Sequence, residues 1–216
     1  MGGGGGAPAT GRALPPYAAA LSGRWVDLAP LEPHDAPGLF AALMDPVVWR
    51  WLTKPPPEDA GTMRAYVEEA LAERDAGRRW PWTVRARETI VGWTSFGDIE
   101  PDHGRIELGW TAYGVPWQRT GVNTECKLLL LRHLFEDLGY ERVALKVDAR
   151  NERSQRAVER LGAVREGVLR HHLRRPDGTL RDTVYYSVLR DEWPGVEEHL
   201  ERLLRDTPGS GIPSDV

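Results

Sequence analysis

The chain has 216 residues, 41% of them hydrophobic and 28% charged, with a formal net charge of -4. That composition can bury the core of one domain and is not that of a disordered chain, and its slightly acidic balance leaves no footprint for gross nucleic-acid binding. A single cysteine, Cys126, excludes an intrachain disulfide and a four-thiolate metal site, and no apolar run is long enough to cross a bilayer.

Residues 1–20 contain five consecutive glycines, whose ordering entropy nothing nearby offsets, so they are expected to be a flexible tail. The segment from Met1 to Gly6 lacks the basic and apolar regions of a signal peptide, and a cytoplasmic location follows as the expectation. Residues 206–216, with Pro208, Gly209, Gly211 and Pro213, read as a second tail. One domain is expected over residues 21–205.

Residues 23–28 alternate and predict a first strand. Asp35 suits an N-cap and Pro37 a first helical turn, so a helix is expected through Leu39, Phe40, Leu43 and Met44 to about Asp45. A short helix around Trp49, Trp51 and Leu52 is stopped by Pro55, Pro56 and Pro57. Residues 62–76 place Met63, Tyr66, Val67, Ala70 and Leu71 at helical spacing, with Gly77 as the stop. Three strands follow at 80–86, 90–96 and 105–112, separated by turn residues, as an antiparallel meander. The period then changes. Residues 124–138 form a Leu-rich helix closed by Gly139, residues 142–149 a strand, and residues 152–161 a helix ended by Gly162. Strands at 164–173 and 183–189 flank the turn Pro176-Asp177-Gly178, and a last helix runs over 192–204. A strand-helix-strand unit in the middle requires a parallel pair by the crossover rule. The expected class is α+β, with a mixed, mostly antiparallel sheet flanked by helices.

Two segments carry candidate chemistry. The first is Val115-Pro116-Trp117-Gln118-Arg119-Thr120-Gly121-Val122-Asn123-Thr124, between a strand and a helix. A turn there gathers unpaired backbone N–H groups at the positive end of a helix dipole, which suits phosphate. Gly121 permits a positive φ and close ligand approach, and Arg119 adds charge. An ordinary strand-helix turn with a solvent-facing arginine fits the same residues, and the spacing is neither a Walker loop nor a dinucleotide fingerprint. The second segment runs from Asn151 to Gly162. Asn151 can cap the helix and Ser154 lies in its first turn; alternatively both face a ligand at the strand end.

In this order the two segments resemble the GNAT acetyltransferase superfamily, in its RimJ/RimL-like branch. Gln118-x-x-Gly121-x-Asn123 is similar to the pyrophosphate signature of that family. It departs from it at Asn123, within a Gly-Val-Asn-Thr-Glu string (Gly121 to Glu125) like that of RimL-like members. Asn151 to Gly162, Leu28 to Trp51 and Ile106-Glu107-Leu108-Gly109-Trp110 also resemble the branch, so the likeness covers roughly residues 22–193. The resemblance implies an acetyl-CoA-dependent N-acetyltransferase with a splayed parallel strand pair at its centre. Amides of Gln118, Arg119, Thr120, Gly121, Val122, Asn123 and Thr124 would hold the pyrophosphate of acetyl-CoA. The strand at Gly109, Trp110 and Thr111 would supply oxyanion donors. Asn151 would bond the pantetheine arm, with Arg153 and Arg156 toward the adenosine phosphates; solvated helix-face arginines are the alternative.

Acetyl transfer to an amine needs a neutral nucleophile and a stabilised leaving thiolate, with no covalent enzyme intermediate. Glu107 is the candidate base, with a cross-strand ion pair as its alternative, and Ser154 the candidate acid for the thiolate. Cys126 reads as a buried structural thiol. Trp49, Trp82, Glu125 and His171 are the candidate acceptor-side residues; Trp49 and Trp82 could equally pack beneath the cleft, and Glu125 could equally complement the helix dipole. His171 and His172 point to opposite faces of one strand, and no metal-ligand spacing is present. The expected partners are acetyl-CoA and a small-molecule or peptidyl amine, without metal, nucleic acid or membrane, and a homodimer is among the expected assemblies. A catalytically silent acyl-CoA sensor on the same fold is the rival reading. An unrelated α/β nucleotide binder is a weaker one, because an antiparallel meander precedes the loop.

Overall fold

A computed structural model describes residues 20–207. The tails expected at 1–20 and 206–216 lie outside these residues, apart from Ala20, Asp206 and Thr207. Eight strands form one sheet: β1 (Leu21–Ser22), β2 (Val26–Pro30), β3 (Trp80–Ala86), β4 (Thr89–Glu100), β5 (Arg105–Tyr113), β6 (Arg142–Asp148), β7 (Val164–Arg174) and β8 (Leu180–Leu189). Their spatial order is β1-β2-β3-β4-β5-β6-β8-β7. Every neighbouring pair is antiparallel except β5 and β6. The helices are α1 (Ala36–Leu43), α2 (Pro46–Trp49), α3 (Ala60–Asp75), α4 (Gly121–Arg132), α5 (Glu152–Arg160) and α6 (Trp193–Arg205).

Local chemistry sets the boundaries. Asp45 caps α2 by accepting from the Val47 amide, and Asp59 caps α3 through Thr62. Gly77, Gly139 and Gly162 stop their helices with positive φ, as a left-handed C-terminal residue does. The first strand differs from expectation: Arg24 and Trp25 form a bend between β1 and β2, and the longer strand starts at Val26. Helix α4 begins at Gly121, three residues earlier than its apolar stripe indicates, because Thr120 provides the cap. The same helix passes into a π-helical turn at His133–Asp137 before Gly139.

Alternation sorts the strand residues between two cores. On one face Val26, Leu28, Trp82, Val84, Phe96, Ile106, Leu108, Val143 and Leu145 pack with Val122, Cys126 and Leu130 of α4 and with Leu200 of α6. On the other, Trp93 and Ala112 join Leu39 and Leu43 of α1, Trp49 of α2 and Met63 and Val67 of α3. Helix α4 is the crossover between β5 and β6. The parallel ladder it creates is short: Arg105, Ile106 and Glu107 pair with Arg142, Val143 and Ala144, and no pairing follows. Beyond this point β5 continues to Tyr113 and β6 to Asp148, so the two strands part.

Candidate active site

Glu107 stands at the last paired position before the strands separate. Its neighbours Ile106 and Leu108 belong to the α4 core, so alternation turns Glu107 to the opposite face. There it is 7% exposed and pairs through Oε2 with Lys146 Nζ at 2.8 Å. Lys146 also pairs with Asp98 of β4. Burial pushes the Glu107 carboxyl above its ordinary range, while the Lys146 ammonium opposes the shift. Burial works against the Lys146 charge too, but Glu107 and Asp98 outweigh it and hold that ammonium firmly protonated. The cross-strand ion pair that was the alternative reading of Glu107 is therefore present. It does not remove the basic reading, because the carboxylate sits at the apex of the opening.

Around this pair lies a polar cluster from β6, β7 and β8. Lys146 is 5.4 Å from the Tyr185 ring, the Tyr185 hydroxyl meets His172 Nε2 at 3.3 Å, and His172 Nδ1 meets Thr183 Oγ1 at 3.1 Å. Burial and the charges of Lys146 and Arg181 lower the His172 pKa, so this imidazole is neutral at neutral pH. His172, and not the expected His171, faces the cluster: His171 is exposed, with φ 52, and its amide donates to Asp182 Oδ1 at 2.7 Å. Asp148 and Arg175, both under a tenth exposed, close the cluster's far end with paired hydrogen bonds of 2.7 and 2.9 Å.

The opposite wall is shaped by a bulge. Trp93 pairs with Ala112 and Ser95 with Gly109, so β5 carries one extra residue there. Trp110 takes φ 49, and its indole lies over Gly97. The Arg79 guanidinium sits 5.3 Å from that ring and 5.5 Å from Trp93. Trp110 is thus committed through its side chain to β4 and Arg79, and Thr111 through its hydroxyl to Thr94 at 2.8 Å. What Gly109, Trp110 and Thr111 present to the opening is backbone.

The two sequence segments do come together. Gln118 accepts from Arg153 Nη1 at 2.7 Å and donates to the Tyr113 carbonyl at 3.0 Å. The start of α5 therefore meets the loop before α4 at one end of the opening. Thr120 caps α4, with Val122 N–H at 3.3 Å from its hydroxyl. The left-handed residue of this loop is Arg119, with φ 65, and not Gly121. Gly121 has a different reason: a β-carbon there would lie 2.5 Å from the Trp25 ring. Val122 and Thr124 are buried, Thr124 meeting Arg160 Nη2 at 3.5 Å, so only their backbone is available to a ligand; Asn123 is half-buried. Asn151 caps α5 by accepting from the Ser154 amide at 3.1 Å, and Ser154 is half-buried in the first turn. Arg156 is exposed and pairs with Glu152 of its own helix, away from the loop.

Three expected acceptor-side residues are structural. Trp49 is 2% exposed and donates to the Leu43 carbonyl at 2.6 Å; Trp82 is 1% exposed and packs 4.5 Å from Phe96. Glu125 is buried and accepts from the amides of Arg24, Trp25 and Val26 at 2.7, 2.7 and 2.8 Å, anchoring β2 to α4. Trp51 is half-buried between Arg50 and Arg150, at 4.9 and 5.4 Å. Asp98, Lys146 and Tyr185 escaped sequence reasoning, while His172 was seen only as the opposite-face partner of His171. Lys146 had a signal, since it alternates with Leu145 and Val147 and must face away from the core they join. Among the described residues, no group of three or more His, Cys, Asp or Glu is placed to hold a metal ion, and no helix is long and apolar enough to cross a membrane.

Comparison with known proteins agrees with this geometry. Residues 26–164 match the acetyltransferase (GNAT) domain family. A crystal structure from T. thermophilus, described provisionally as an acetyltransferase, is 45% identical with a TM-score of 0.80, covering 87% of this chain and 98% of that one. A GCN5-related N-acetyltransferase from Brucella melitensis is 28% identical with a TM-score of 0.81, covering 88% and 86%. The uncharacterized N-acetyltransferase YoaA of Bacillus subtilis (strain 168) is 27% identical over 165 residues, 76% of this chain and 92% of its own.

Proposed function

The chain belongs to the GNAT acetyltransferase family, and from that premise we propose that it transfers the acetyl group of acetyl-CoA directly to a primary amine, in a ternary complex. The acceptor is a small molecule or a peptide N-terminus, in keeping with the RimJ/RimL-like string from Gly121 to Glu125. One observation carries the reading: the parallel ladder stops at Glu107 and Ala144, leaving an unpaired strand edge with a buried carboxylate at its apex and a helix N-terminus at its outer end.

The residues fit this donor. An extended pantetheine arm can pair with the β5 edge at residues 108–113 as an added strand does. Its diphosphate suits the amides and dipole at the start of α4, with Arg119 and Arg153 adjacent. When bound, acetyl-CoA supplies the activated acyl group. Glu107, directly or through a water, takes the proton that the amine loses, and its elevated basicity serves that role. Backbone N–H groups of residues 109–111 face the carbonyl oxygen, and the Ser154 hydroxyl supports the departing thiolate.

An acceptor screen with acetyl-CoA, reading thiol release, tests the proposal. Release that depends on an added amine, with equimolar N-acetyl product, is the expected result. Saturable acetyl-CoA binding without release by small amines or by peptide N-termini would make the chain an acyl-CoA sensor.

A further inference from the structure

Helix α4 turns one lysine toward the sheet. Lys127 is 5% exposed, and it shares its stripe with Thr124, Leu128 and Leu131. Its ammonium donates to Thr111 Oγ1 at 2.7 Å and lies 3.5 Å from Thr94 Oγ1. Both hydroxyls also reach the Gly109 carbonyl at 3.3 Å. No carboxylate pairs with Lys127 among the described residues, and the neighbouring Glu125 is turned away to the amides of Arg24, Trp25 and Val26. A buried cation is ordinarily paired, because desolvation is costly. Here hydroxyls alone receive it, and they belong to the bulge of β5, in the part that has parted from β6, and to the β4 residue facing it.

We propose that Lys127 is a positioning residue for acyl transfer: through Thr111 it fixes the bulge of β5 and sets an unneutralised positive charge beneath it, to which the negative charge developing on the thioester oxygen is the counter-charge. This rests on the transfer reading above. As the amine nitrogen bonds to the acetyl carbon, the carbon–sulfur bond breaks, the thiolate leaves and Glu107 takes the amine proton. Lys127 keeps its own proton throughout. A fixed charge in a water-poor site favours the state that carries more negative charge.

The surroundings make Lys127 the group that titrates. Burial lowers it to about 8. On its own helix Cys126, and on β5 Tyr113, are both pushed up by burial and stay neutral there. Glu125 spends its charge on backbone amides, and β4 contributes only the Thr94 hydroxyl. The other arginine contacts of the helix lie elsewhere, Arg160 at Thr124 and Arg132 toward Glu197 and Glu201.

The test uses the full chain with an amine found in the screen, and compares Lys127→Met, Lys127→Arg and Thr111→Val. Lys127→Met is expected to lower kcat about 100-fold with little change in KM for acetyl-CoA. It is also expected to raise Tm at pH 7, because an uncompensated charge leaves the interior. Between pH 8 and 10.5 the unfolded wild type binds more protons than the folded form, so its stability rises and that Tm gain shrinks. Wild-type kcat should fall above pH 8 as Lys127 deprotonates; Lys127→Arg should keep most activity and lack that limb. Thr111→Val should lower kcat with Lys127 intact. A Lys127→Met enzyme with lower Tm, unchanged kcat and an unchanged alkaline limb would reduce Lys127 to packing, and only this inference would fall. A wild type that releases no thiol would sink the transfer reading and this role together. If Lys127→Met does not fold, the Thr111→Val rate and the Lys127→Arg pH profile decide.

Discussion

Glu107 is pulled two ways. Its burial favours the neutral acid, while Lys146 at 2.8 Å favours the carboxylate. A base must be deprotonated to act, so activity should fall as pH drops through the Glu107 pKa, which lies above the usual carboxylate range. Glu107→Gln should lower kcat by about 100-fold or more and remove that acid limb. Lys146→Met removes the main opposition to burial and leaves only the weaker pull of Arg181, so the limb should move to higher pH; a pH–rate profile that stays put would detach Glu107 from proton transfer. Ser154→Ala should lower kcat while leaving Tm unmoved, since the α5 cap is Asn151, whose change to Ala should cost about 1 kcal/mol of stability. Thermal melts and steady-state rates on the two variants separate the roles. At this scale the sequence was only partly readable. Glu107 was visible from its strand position, but Lys146 and Asp98 become its neighbours only through pairing of β4, β5 and β6. The alternation that separates His171 from His172 cannot say which faces the site, because a bulge at His171 sets the phase.

The start of α4 shows why a loop motif is legible before its geometry is. Gly121 looked like a residue chosen for backbone freedom, yet Arg119 takes the left-handed conformation and Gly121 makes room for Trp25. Gly121→Val should therefore destabilise the fold by about 1–3 kcal/mol through overpacking, ligand present or not. Trimming the ring with Trp25→Leu in the same chain should recover part of that loss in urea unfolding. No recovery would place the strain elsewhere. The elements themselves were mostly within reach, because caps and stops are local: β3 falls at residues 80–86 as expected, and Gly77, Gly139 and Gly162 end their helices. The misplaced first strand has a non-local cause. Three amides from Arg24 to Val26 are held by Glu125, about a hundred residues away, and no window around Gly23 contains that information.

For the whole molecule, the decisive feature is the seam between β5 and β6. Strand-helix-strand order around α4 required one parallel pair, so the mixed sheet was legible; that β8 inserts between β6 and β7 was not, since either antiparallel order satisfies the hydrophobic pattern. Acetyl-CoA should raise Tm and slow amide exchange at residues 108–113 and 118–123 together, because it is proposed to pair the open edge and cover the loop. Mass-resolved hydrogen exchange checks this, and protection confined to the loop would deny the strand-like docking. The short seam also has a mechanical meaning. Three rungs join β1–β5 to β6–β8 across the sheet, with Lys146 riveting Asp98 and Glu107 over it on one side and α4 strapped beneath on the other. Under a pulling force the molecule should tear there first, each half coming away with its own antiparallel ladder intact.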